Sequence, residues 1–188
     1  MERTEGTFKG DKGLTLFYQC WLPDKKPKAV LLVVPGLAEH SGRYTNLVNY
    51  FVPRGYAVYS LDTQGHGKSE GVRCYVNKFS DYVDDLKIFS DIVHSEQSDR
   101  KILLTGHSMG STIVLAYAVR HQRDLAGLII SGTALKPGSS IPTALKGVVQ
   151  LVSLLFPKMG VPFIVDASAI SQDKAVVDAY IHDPLVYR

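Results

Sequence analysis

The feature that most constrains this chain is a recurrence: short, unbroken apolar runs separated by stretches with helical periodicity. The runs are Ala29-Val30-Leu31-Leu32-Val33-Val34, Tyr56 to Leu61, Lys101 to Thr105 and Leu128 to Ser131. A strand with one face in water alternates polar and apolar residues, so a run without alternation belongs to a strand covered on both faces. Between the runs lie Arg43 to Pro53, stopped by Gly55, then Phe79 to Ser98, with Tyr82, Val83, Leu86, Phe89 and Val93 on one stripe, then Ser111 to Arg120. Strands alternating with helices predict an α/β fold, with a mostly parallel sheet, helices on both faces and right-handed crossovers. Ahead of it, Thr4 to Lys9 and Leu14 to Trp21 alternate around Gly10-Asp11-Lys12-Gly13, which predicts a hairpin turned by residues of positive φ.

The pattern changes near Leu135. Lys136-Pro137-Gly138-Ser139-Ser140 is rich in breakers, and no buried run with a crossover helix follows it. Leu145 to Phe156 is an unusually apolar helix candidate ended by Pro157 and Gly160, and Lys174 to Ile181 is a second helix. The expected division is therefore residues 1–134 as the N-terminal part of an α/β core and 135–188 as a cap, or lid, region. The apolar helix reads equally as a core helix or as a lid over a lipid-accepting cleft.

A chain of 188 residues, 45% hydrophobic, suits one globular unit. Its net charge of +3 comes from 21 basic and 18 acidic residues without a basic run, which argues against nucleic acid as a partner. Cys20 and Cys74 make no metal or redox spacing, so free thiols in a reducing compartment are expected. The start, MERTEGTFKGDKG, has no apolar signal core, and no apolar stretch is long enough for a membrane span. These features point to a cytoplasmic location, with no metal and no cofactor.

Chemistry enters at Gly106-His107-Ser108-Met109-Gly110, set between the Lys101 to Thr105 run and the helical Ser111 to Arg120. Glycines two positions either side of a serine let a strand and a helix meet closely, and the turn lifts the serine hydroxyl clear of the sheet. That turn also aims the Met109 amide, at the positive end of the helix, toward a developing oxyanion. The loop after the first central run, Pro35 to Tyr44, is placed to supply a second oxyanion donor from the Leu37 amide. Glu39 and Arg43 in this loop read equally as contacts to a polar substrate head and as an ion pair tying the loop to its helix. Asp62-Thr63-Gln64-Gly65-His66-Gly67-Lys68-Ser69 reads as a tight buried turn in which Asp62 holds the loop through backbone hydrogen bonds.

A serine hydroxyl needs a histidine to take its proton, and a carboxylate to orient that histidine. His107 adjoins the nucleophile on diverging side chains and reads as a turn residue; His94 and His121 read as surface groups. His40 and His66 lie in loops that could reach the active face and are minor candidates for a catalytic role. His182 and Asp183 are adjacent, but neighbouring side chains seldom make an orienting hydrogen bond. In folds of this kind the acid and histidine follow the serine on loops after later strands. Such strands are not found in this stretch, so the C-terminal part of the fold is expected to lie outside it.

The three loops together resemble the monoacylglycerol lipase and lysophospholipase family of α/β hydrolases. Glu39 to Tyr44 match the second half of its H-G-x-G-E-H-S-G-R-Y loop, with Pro35 where the family has histidine and Ala38 where it has glycine. Asp62 to Gly71 match its D-x-x-G-H-G-x-S-E-G loop, Gly106 to Gly110 its G-H-S-M-G elbow, and Asp183-Pro184-Leu185 its D-P-L segment. The resemblance implies an α/β-hydrolase fold with a helical cap. It implies Ser108 as the nucleophile, the Leu37 and Met109 amides as the oxyanion hole, and Glu39, Arg43 and Tyr180 around a glycerol head group. It further implies a lipid ester substrate, with the apolar lid touching a membrane or micelle surface as a peripheral contact. The family's acid and histidine have no matching positions among these residues. Carboxylesterase, lysophospholipase, acyltransferase and a noncatalytic lipid-binding module remain alternatives on the same fold.

Overall fold

The computed structural model describes residues 1–133 and 166–187. Six strands form one sheet: β1 (Glu2–Lys9), β2 (Thr15–Leu22), β3 (Val30–Val34), β4 (Ala57–Leu61), β5 (Ile102–His107) and β6 (Gly127–Ser131). Their order is β1-β2-β4-β3-β5-β6. The opening hairpin is antiparallel, with Phe8 opposite Leu16, and β2 joins β4 antiparallel. From β4 onward, β3, β5 and β6 run parallel. Of the turn residues in the hairpin only Gly13 takes a positive φ, at 76°.

The unbroken apolar runs behave as the two-faced burial rule requires. All five residues of β3 and all five of β4 are buried. Val30, Leu32 and Val34 face α2 (Phe79–Glu96) and α3 (Met109–His121), packing with Leu86, Phe89, Val93, Ile113 and Tyr117. Leu31 and Val33 face the other way, where α1 (Thr45–Phe51) supplies Val48 and Val52 follows it. Helices therefore cover both faces. Leu32 is completely buried, so Leu32→Ala falls in the range of about 2–5 kcal/mol for deleting a core side chain. The α2 stripe read from periodicity is buried in full: Tyr82, Val83, Leu86, Phe89 and Val93.

β6 forms where the Leu128 to Ser131 run places it and pairs with β5 among the described residues, with Leu128, Ile129 and Ile130 40%, 45% and 46% exposed. Arg43 to Pro53 divides into a 3-10 turn at Ser41–Tyr44, α1, and a second 3-10 turn at Val52–Arg54. The Leu145 to Phe156 helix expectation, and most of the expected cap, lie outside the described residues. The second expected helix is present as α4 (Lys174–His182), capped by the Asp173 side chain on the Ala175 amide.

Candidate active site

Every parallel strand ends at one edge of the sheet, and the site is built from what leaves that edge. β5 passes into α3 through Ser108, whose φ of 51° and ψ of −119° lie outside the conformations of ordinary residues. Such strain persists only where the surroundings over-determine it. Here Ser108 N donates to Ser131 O of β6 at 2.8 Å, and Ser108 O accepts from Ser111 Oγ at 2.6 Å. The flanking glycines are required by close approach: a Cβ on Gly106 would sit 2.5 Å from Gly110 O, and one on Gly110 would strike the carbonyls of Val34 and Pro35. Strand, helix and the end of β3 are thus packed backbone to backbone around the serine.

The loop leaving β3 comes back over this elbow. A Cβ on Gly36 would stand 3.4 Å from Ser108 Cβ, which places Leu37 beside the serine. Neither the Leu37 nor the Met109 amide has a backbone acceptor among the described residues. Next to Leu37, Ala38 holds φ at 62°, a left-handed conformation that suits glycine. The Glu39 carboxylate fixes the loop from within: it accepts from Tyr44 Oη at 3.1 Å, Gly36 N at 3.3 Å and Arg43 Nε at 3.2 Å. Burial, then the Glu39 charge, pushes the Tyr44 phenol well above its ordinary range, so it stays a donor.

Ser108 lines a cleft of about 480 Å3 together with Gly36, Leu37, Glu39, Phe79, Met109 and Tyr180, with Ile170 among the remaining wall residues. Of the residues expected around a head group, Glu39 and Tyr180 line this cleft. Arg43 stands behind them: it bonds Glu39 and stacks its guanidinium 4.9 Å from the Tyr180 ring, and it lines a neighbouring groove with Asn46 and Asp183. Both sequence readings of Glu39 and Arg43 thus have a basis, since the ion pair exists and one of its partners faces the cleft. Among the described residues, no group of His, Cys, Asp and Glu is arranged to hold a metal ion.

None of the histidines bonds the Ser108 hydroxyl among the described residues. His107 is exposed at the cleft wall and its ring packs toward Gly132. His121 stacks on Tyr117 at 4.8 Å. His66 is buried, donates from Nδ1 to Gln64 O at 3.0 Å, and leaves Nε2 without a partner. Burial holds His66 below the ordinary histidine pKa. His182 does not engage Asp183; its Nδ1 lies 2.8 Å from Asp178 O, one helical turn back. Asp183 instead meets His40, with Oδ2 and Nε2 2.8 Å apart. Burial raises the Asp183 pKa, but the hydrogen bonds from His40 and the Leu185 amide outweigh it and hold the carboxyl below its ordinary value. Sequence reasoning considered both residues and missed their pairing, because partners 143 positions apart leave no local signal. Phe79 and Ile170 were missed as cleft residues for the same reason.

The loop after β4 takes the role expected of it. Asp62 accepts from Ser41 N at 2.7 Å and from Lys68 N at 2.8 Å, so one buried carboxylate ties two neighbouring loops together.

The family model described as "Serine aminopeptidase, S33" matches residues 25–188. A monoacylglycerol lipase of Mycolicibacterium smegmatis is 35% identical over 98% of this chain, and a monoglyceride lipase of Mus musculus is 35% identical over 94%. The chain spans 66% and 58% of these two relatives. Among solved structures, a carboxyl esterase from Bacillus coagulans in complex with glycerol superposes with a TM-score of 0.79 at 26% identity, covering 99% of this chain and 67% of that one. With the elbow, the glycine-containing loop after β3 and the parallel sheet all present, the chain has the α/β-hydrolase fold and belongs to the family described as serine aminopeptidase, S33.

Proposed function

We propose that this chain carries the nucleophile and oxyanion hole of a serine hydrolase that cleaves carboxylic esters of lipids, with monoacylglycerol as the substrate. The observation that carries the reading is the strained Ser108 lining a cleft with Leu37 and Met109, whose amides have no backbone acceptor among the described residues. The Ser108 oxygen attacks the ester carbonyl, and the carbonyl oxygen takes up the electron pair facing the two amides. The serine proton passes to a histidine base, for which these residues offer no matching position, and leaves on the glycerol oxygen. Water then attacks the acyl-serine, releasing the fatty acid and regenerating the hydroxyl.

The cleft supports an ester with one polar and one apolar end. Glu39 offers a carboxylate to a head group, while Leu37, Phe79, Met109 and Ile170 offer apolar walls to a chain. The names of the M. smegmatis and mouse relatives, and the glycerol held by the B. coagulans esterase, support the same assignment. Residues 135–188 are proposed as the cap, with a transient contact to a membrane or micelle surface. No helix among the described residues is long and apolar enough to cross a membrane.

The test is intact-mass spectrometry of the natural full-length protein before and after a fluorophosphonate probe, followed by hydrolysis of monoacylglycerols, lysophospholipids and short-chain esters. One adduct on Ser108 with preference for monoacylglycerol supports the reading. An adduct with preference for lysophospholipid or short esters moves the assignment to those substrates. No adduct overturns it in favour of a noncatalytic lipid-binding module.

A further inference from the structure

The segment around the end of α4 reaches the oxyanion loop at three points. Asp183 Oδ2 meets His40 Nε2 at 2.8 Å, Tyr187 N donates to Ala38 O at 3.1 Å, and the Arg43 guanidinium stacks 4.9 Å from the Tyr180 ring. The bonding pattern fixes the orientation of the His40 ring. Its Nδ1 accepts from Gly42 N at 3.1 Å, so the ring proton is carried by Nε2 and is donated to Asp183. The other Asp183 oxygen accepts from Leu185 N at 2.9 Å, which sets the carboxylate as a rigid acceptor. The His40 and Asp183 side chains are only 11% and 21% exposed, so the contact is largely shielded from water.

All three contacts fall on the C-terminal side of Leu37, the nearest of them on its immediate neighbour Ala38. Ala38 adjoins Leu37 and keeps φ at 62°, a left-handed conformation that is unfavourable for a residue with a Cβ. A loop of this kind returns to ordinary dihedrals unless its surroundings forbid it. Neither His40 nor Asp183 lines the Ser108 cleft. From this arrangement we infer that His40 and Asp183 are positioning residues: their hydrogen bond ties α4 to the oxyanion loop and sets the Leu37 amide at the distance from Ser108 that transition-state stabilisation needs. The position of α4 thereby becomes an input to the oxyanion hole. The inference rests on the hydrolase reading given above.

The natural full-length protein is compared with Asp183→Ala, His40→Asn and the double variant. His40→Asn is chosen because its side-chain oxygen keeps the Gly42 contact and removes only the Asp183 contact. The readouts are kcat and KM for monoacylglycerol, the rate of fluorophosphonate labelling at Ser108, Tm, and the amide resonance of Leu37. A displaced oxyanion donor predicts kcat and labelling rate lower by about ten- to a hundredfold, with KM nearly unchanged. The double variant then loses no more than either single one, and the Leu37 resonance shifts in all three. Folded variants with kcat and labelling within about twofold of wild type, losses confined to KM, or losses that multiply in the double variant overturn it. If Asp183→Ala does not fold, His40→Asn alone decides the matter by the same readouts. Wild type that neither labels nor hydrolyses removes the hydrolase reading instead, while the Leu37 resonance still reports whether the contact holds the loop.

Discussion

Two loops leave the same edge of the sheet from adjacent parallel strands, and their backbones are treated in opposite ways. In the loop after β4, residues 62–67 are all buried and the backbone is held by hydrogen bonds: Asp62 takes two amides, His66 N donates to Thr63 O at 2.9 Å, and Gly65 N donates to Glu70 O at 2.9 Å. In the loop after β3, Leu37 stays 40% exposed and its amide has no backbone acceptor among the described residues. Its fixing contacts come from around it: the Glu39 carboxylate from inside, Asp183 after α4, and the backbone bonds from Tyr187 N to Ala38 O and from Glu39 N to Gly36 O. An amide that is to meet a ligand must be left without a partner, so the rigidity that elsewhere comes from backbone pairing has to be supplied from the periphery.

The largest expected effect breaks the open side of this comparison. Ser108→Ala removes the proposed nucleophile, and lowers ester hydrolysis by about a thousandfold or more, with Tm close to wild type. Activity and thermal unfolding measured on one preparation check it. A variant that keeps wild-type turnover would place the chemistry elsewhere.

The closed side breaks at Asp62. Asp62→Ala leaves the buried Ser41 amide and the part-buried Lys68 amide without their acceptor, and destabilises the fold by about 2–4 kcal/mol. Denaturant unfolding should show the lower midpoint. Because Ser41 belongs to the other loop, turnover should fall with it.

Asp85 sharpens the comparison, since it is buried as deeply as Asp62 with half the support. One oxygen accepts from Asp11 N at 2.8 Å and the other has no partner. Burial pushes its pKa up from 3.8 to about 6. The folded state then holds a proton that the unfolded state has lost between pH 3.8 and about 6. Stability therefore falls as pH rises through that window and is level above it. Asp85→Asn should flatten the window and stabilise the protein at pH 7 by about 1–3 kcal/mol. Unfolding midpoints from pH 3 to 8 test the sign. An Asp62→Asn series run alongside should lose stability instead.

The smallest effect concerns the strained residue itself. Ala38→Gly relieves the positive φ but adds freedom to the unfolded chain, so the net stability change stays within about 1 kcal/mol. A change in kcat without a change in Tm would show that the loop conformation, not its cost, matters to the oxyanion hole.

Much of this arrangement was legible in the chain. The runs Val30 to Val34 and Ala57 to Leu61 announce two-faced burial by lacking alternation, and the α2 stripe announces its buried side by spacing. The Leu128 to Ser131 run likewise announces the strand that pairs parallel with β5. The elbow was legible because glycine at 106 and 110 is a local demand of backbone contact. The two readings of Glu39 and Arg43 were left undecided because both depend on what stands across the cleft.

The sequence by itself determined the strand and helix order, the serine on its turn, and the residue types that line the neighbouring loops. These follow from periodicity and local backbone chemistry, which act over a few residues. Only the tertiary structure decided that Asp183 serves His40 and not its neighbour His182, that Arg43 stands behind Glu39 and Tyr180, and that Phe79 and Ile170 wall the cleft. Those contacts join residues far apart in the chain, and what brings them together is the packing of whole elements, for which no short stretch of sequence carries a signal.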